Sequence, residues 1–109
     1  MSKGRILIID DNPKNIQVAA SILVQAGYET EFALDGEAGL QWLETEDFDL
    51  VLLDVMMPGM DGFQVCRNIK EQPRLQKTPV IFVTAKADRD SVVQGFEAGG
   101  EDYITKPYD

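Results

Sequence analysis

Five short apolar runs, each closed by a carboxylate or a hydroxyl, alternate along the chain with stretches that keep helical spacing. Residues 5–9, Arg-Ile-Leu-Ile-Ile, are rich in β-branched side chains and stop at Asp10-Asp11, the mark of a buried strand. Tyr28 to Leu34, Asp49 to Leu53, Pro79 to Val83 and Asp102 to Thr105 form four further runs of this kind. The third is almost wholly apolar inside, as expected of a strand covered on both faces. After the first run, Asn12-Pro13 supplies a cap followed by proline at the first helical position. Ile16, Ala19, Ala20 and Leu23 then hold helical spacing until Gly27. A second helix opens at Asp35-Gly36 with Leu40 and Leu43 inward, and the spacing leaves Trp42 unassigned. A third follows the turn at 56–60, capped by Asp61 and carrying Phe63, Cys66 and Ile69. A fourth starts near Asp88, with Val92 and Phe96 expected to be buried, and ends at Gly99-Gly100. Strands and helices joined in this way by short loops imply parallel βαβ units with right-handed crossovers, hence a doubly wound α/β sheet.

At 109 residues the chain is below the average domain of about 150, so residues 1–109 are expected to form one domain. Its 10 Lys and Arg stand against 19 Asp and Glu, a net charge of -9. Such a surface repels phosphate backbones and anionic lipid, which disfavours nucleic-acid or membrane binding and favours cations and basic partner surfaces. The chain has no histidine, which removes histidine catalysis and most zinc sites. One cysteine, Cys66, precludes an internal disulfide and fits a reducing cytosol. No apolar run approaches the ~18 residues of a membrane span, and Met1-Ser2-Lys3-Gly4 does not begin a secretion signal.

In open parallel sheets, ligands bind beyond the carboxyl ends of the strands. Those ends carry Asp10-Asp11, Asp54, Thr84-Ala85 and Thr105-Lys106-Pro107. With the strands in the order 2-1-3-4-5, the three carboxylates converge, and Thr84 and Lys106 lie alongside. Two unit charges ~4 Å apart repel by about 4 kcal/mol at an effective dielectric near 20. Either one acid stays protonated or a hard divalent cation sits among them. All-oxygen donors point to Mg²⁺, with Mn²⁺ as a substitute. Lysine and threonine are donors suited to phosphoryl oxygens, so the set describes phosphoryl transfer onto a carboxylate, with Asp54 as the natural acceptor. Taken singly, each residue has an ordinary reading as a cap, a turn or a strand former. Their coincidence at four strand ends carries the argument.

The stretches 8–12, 49–62, 79–85 and 99–107 resemble the receiver domain of bacterial two-component response regulators, a CheY-like, flavodoxin-like fold, over essentially the whole chain. The resemblance implies that Asp54 accepts phosphate from a histidine kinase or histidine phosphotransfer protein in a cytoplasmic phosphorelay. The domain would thereby catalyse its own phosphorylation and dephosphorylation without being a conventional enzyme. It implies that Asp10, Asp11, Asp54 and the main-chain carbonyl of Met56 hold Mg²⁺, and that Lys106 contacts the phosphoryl group and, before it, Asp54. It implies a cis peptide at Lys106-Pro107 and a switch in which Thr84 moves toward the phosphoryl oxygens while Tyr103 turns inward. The face of the fourth helix and fifth strand would then control an output domain or target protein. Met56 and Lys86 fall where the family tunes phosphoryl lifetime.

Receivers carry a fifth helix after the Lys-Pro loop, and none is apparent here. The chain is therefore expected to be a receiver truncated before its last helix, the N-terminal part of a multidomain protein. Its uncovered apolar surface would invite homodimerisation. Three other readings compete. A dehalogenase-type Mg²⁺-dependent phosphatase would need an acid two residues after its nucleophile, where Met56 stands. A flavin protein would need a Ser/Thr/Gly-rich loop where Asp10-Asp11-Asn12-Pro13 is acidic. A scaffold that has lost phosphorylation would have no use for the complete set of groups.

Overall fold

The structure is a computed structural model that describes residues 2–85 and 89–106. Its elements run β1 (Arg5–Ile9), α1 (Pro13–Gln25), β2 (Glu29–Ala33), α2 (Gly36–Thr45), β3 (Leu50–Leu53), α3 (Gly62–Glu71), a 3-10 turn (Pro73–Leu75), β4 (Val80–Thr84), α4 (Arg89–Glu97) and β5 (Asp102–Thr105). All strand pairs are parallel, in the order β2-β1-β3-β4-β5. The doubly wound α/β sheet expected from the sequence is therefore the observed one, with edges shifted by a residue or so. The 3-10 turn, opened by Pro73, falls in a stretch the periodicity left unassigned.

Strand parity sorts the core. Leu7, Ile9, Val51, Leu53, Val80 and Phe82 share one cluster with Leu43 of α2 and with Val65, Cys66 and Ile69 of α3. Ile6 and Ile8 point to the other face, where Ile16 and Ala19 of α1 cover them. Local signals set the helix starts. The Asn12 side chain accepts from the Lys14 N–H, and Pro13 occupies the first turn. Asp35 accepts from the Ala38 N–H, and Asp61 and Gln64 form a reciprocal capping box. Trp42 settles half-buried, edge-on to Phe48 at 6.2 Å, with its indole N–H donating to the Phe32 carbonyl at 3.0 Å.

The α1 face of the sheet is only partly covered. Beside Ile22, the side chains of Leu50, Leu52, Ile81, Val83 and Ile104 line an apolar groove of about 270 Å³. Among the described residues no second helix lies on it, and Ile22 and Ile104 remain 45% and 39% exposed.

One expectation is corrected. Phe96 is not buried but 50% exposed, and the inward face of α4 is Ser91 and Gly95, followed by Ala98. The rings of Phe82 and Tyr103 already fill the space under the helix. A Cβ at Gly95 would stand 3.1 Å from Phe82 and 3.2 Å from Tyr103, so only small residues let α4 approach, and Phe96 is turned outward. Val92 is half-buried.

Cys66 is fully buried with its thiol directed at the Ala98 carbonyl, 3.3 Å away, and burial pushes its pKa up to about 11. An aromatic disulfide reagent is expected to modify it only in denaturant. Reaction of the folded protein at the rate of a free thiol would contradict this packing.

Candidate metal centre at the strand ends

The ladder hydrogen bonds continue one residue past the strands, and this continuation assembles the site. The Asp10 N–H donates to the Ala33 carbonyl at 3.1 Å, and the Asp54 N–H donates to the Ile9 carbonyl at 2.9 Å. The Lys106 N–H donates to the Thr84 carbonyl at 2.8 Å. Parallel register thus delivers Asp10, Asp54, Thr84 and Lys106 to one end of adjacent strands. Asp10, Asp54 and Thr84 are buried, whereas Asp11 is exposed at the mouth.

One carboxylate oxygen from each of Asp10, Asp11 and Asp54 lies within 4.8 Å of the others. The Lys106 ammonium sits between the two buried acids, 2.7 Å from Asp10 Oδ2 and 3.5 Å from Asp54 Oδ1. The contact with Asp54 that the resemblance implied is present, and a tighter one to Asp10 accompanies it. Asp10 Oδ1 also accepts from the Asn12 N–H at 2.9 Å. Burial, reinforced by the Asp10 charge and opposed by Lys106, pushes the Asp54 carboxyl up to about 6. Among the described residues, three acids against one ammonium, with oxygen donors only, fit a hard divalent cation.

The Met56 side chain is 59% exposed between buried Val55 and Met57. Tyr103 is half-buried on β5, its ring 5.9 Å from that of Phe82. Lys86 and the Lys106-Pro107 peptide lie outside the described residues. Two contributors had escaped sequence reasoning. The Asn12 N–H on Asp10 has no signal beyond the cap itself. The Gln64 half of the capping box was readable in the spacing Asp61-x-x-Gln64.

Comparison with known proteins decides the family, because residues 6–109 match the model of the response regulator receiver domain. The chain belongs to the response regulator receiver domain family. This receiver is 43% identical over 106 residues to the response regulator PleD of Caulobacter vibrioides, covering 97% of this chain and 23% of PleD. It thus spans about a quarter of that relative's length. The receiver domain of a signal transduction histidine kinase from Syntrophus aciditrophicus superposes with a TM-score of 0.88 at 40% identity, covering 97% of this chain and 80% of that one. The Mn²⁺-bound form of the response regulator Rcp1 superposes with a TM-score of 0.86 at 26% identity, covering 97% and 83%. The receiver's general role is that of its family, signal reception in a two-component system. None of its described helices is long and apolar enough to cross a membrane.

Proposed function

We propose that this receiver takes a phosphoryl group onto Asp54 from a phosphohistidine of a partner histidine kinase or histidine phosphotransfer protein. The observation that carries the reading is the meeting of Asp10, Asp11 and Asp54 within 4.8 Å, with the Lys106 ammonium reaching both buried acids. Asp10, Asp11 and Asp54, with the Met56 carbonyl, would hold Mg²⁺, and the Mn²⁺ in the Rcp1 structure supports a divalent ion in a fold of this kind. When bound, Mg²⁺ supplies positive charge to the acids and to the phosphoryl oxygens.

The residues of the chain do the rest. With a carboxyl at about 6, Asp54 is mostly ionised at pH 7, as a nucleophile must be. Its oxygen attacks phosphorus, the P–N bond breaks, and imidazole leaves with a proton from solvent. Lys106 balances charge on the transferred oxygens, and Thr84 donates to another of them. Hydrolysis by water returns the carboxylate and releases phosphate, at a rate tuned by Met56 and Lys86. The Thr84 shift lets Tyr103, already packed beside Phe82 and Gly95, turn further inward into the space that Thr84 vacates, and the α4–β5 face passes the change to an output domain or target. Carrying that equilibrium from 1:99 to 99:1 needs about 5.5 kcal/mol of differential affinity. A free, buried Cys66 suits a cytoplasmic setting.

Intact-mass spectrometry after incubation with acetyl phosphate and Mg²⁺ tests the chemistry. Wild type is expected to gain one phosphoryl group and Asp54→Asn none. Equal gain in both, or none in wild type, would overturn the assignment of Asp54.

A further inference from the structure

The reading of Asp54 as acceptor leaves open what holds its main chain still. β3 ends at Leu53, so Asp54 and Val55 lie outside the strand, yet both are buried. The first residue of α3, Gly62, is pressed flat against them. A Cβ built on Gly62 would stand 2.2 Å from the Asp54 carbonyl oxygen, 2.8 Å from Val55 Cα and 2.9 Å from the Asp54 carbonyl carbon. These are backbone atoms, which cannot swing aside as the end of a side chain can. The Gly62 N–H also donates to the Val55 carbonyl at 2.9 Å. Gly62 is absent from the residues with positive φ, so its backbone is one that any L residue adopts. Helix propensity favours alanine over glycine in such a place. The demand for glycine therefore comes from space alone, at the peptide unit that bears the acceptor.

We infer that Gly62 is a positioning residue, through which the N-terminus of α3 clamps the Asp54–Val55 peptide and aims the Asp54 carboxylate at Asp10 and Asp11. The inference rests on the phosphoacceptor reading for its purpose, though not for its geometry. The Asp61–Gln64 capping box, with bonds of 2.9 and 3.0 Å, holds the helix end that does the clamping. Any side chain at position 62 must move the helix or the acceptor peptide, and either displacement spreads the three carboxylates.

The experiment compares wild type, Gly62→Ala, Asp61→Ala and Gly59→Asn by amide NMR without metal and by calorimetric titration with Mg²⁺. Gly62→Ala is expected to shift the Asp54 and Val55 amides before metal is added, and to weaken Mg²⁺ binding by about 10–100-fold. Asp61→Ala, which loosens the helix end without adding an atom at position 62, should give a smaller loss in the same direction. Gly59 has φ +78° and open space around it, so asparagine there should leave both readouts unchanged. A folded Gly62→Ala with wild-type amide positions and Mg²⁺ affinity would overturn the inference. Should that variant not fold, the same null result in Asp61→Ala would overturn it. If wild type itself takes up no Mg²⁺, the phosphoacceptor reading fails, and the metal-free amide shifts alone decide the role of Gly62.

Discussion

Asp54→Asn is expected to stabilise the metal-free protein at pH 7 by about 2–3 kcal/mol while abolishing phosphoryl uptake. Its carboxyl is raised from 3.8 to about 6, chiefly by burial and then by the Asp10 charge. Between these values the folded state binds more protons than the unfolded state. Stability therefore falls as pH climbs from about 4 to about 6, and stays at the lower level above that. Asparagine keeps the shape, carries no charge and escapes this penalty. Denaturant unfolding of both proteins in chelator, from pH 4 to 8, measures the difference. The gap should be near zero at pH 4 and fully open by pH 7. A gap independent of pH would show that Asp54 is not strained in its ionised form. With Mg²⁺ present the gap should narrow or reverse, since wild type gains more binding energy from the ion than the variant does.

Lys106→Met should act in the opposite direction. It keeps most of the side-chain stem and removes the ammonium from between Asp10 and Asp54, both of which are buried. Deleting one member of a buried ion pair costs roughly 3–5 kcal/mol. Here Asp54 can take up a proton in response, so the loss at pH 7 is expected to be about 2–4 kcal/mol. For a domain of this size that is a Tm lower by roughly 10–20 °C. The deficit should shrink toward pH 5, as Asp54 protonates, and shrink again on adding Mg²⁺, which brings positive charge back. Uptake from acetyl phosphate should fall by about 100-fold or more, the scale of losing one preorganised charge donor. A melting temperature within a few degrees of wild type, with uptake intact, would place Lys106 outside both roles.

These effects trace to features of unequal visibility in the amino-acid order. The strands were legible because short apolar runs stop at Asp10, Asp54 and Thr84, and a strand covered on both faces has few other compositions. Their order was legible because short crossovers leave few ways to wind such a sheet. Convergence of Asp10, Asp11 and Asp54 follows from that order together with parallel register. What the sequence hid was packing between distant segments. Phe96 has the spacing of a core residue, and only the rings of Phe82 and Tyr103, from two other elements, turn it outward. The closer approach of Lys106 to Asp10, at 2.7 Å against 3.5 Å to Asp54, depends on side-chain placement at the strand ends that no local pattern encodes. Gly62 carries no local signal, because the reason for its missing side chain is the peptide of Asp54. The 3-10 turn at Pro73 escaped because one turn of helix is too short to establish a period.

Calorimetric titration of the metal-free protein with Mg²⁺, beside Asp11→Asn and Asp54→Asn, tests most directly whether the acids of two strand ends share one ion beneath Lys106. The account predicts a single ion per wild-type chain and binding weakened at least about tenfold in each variant. Equal affinity in all three proteins would contradict it.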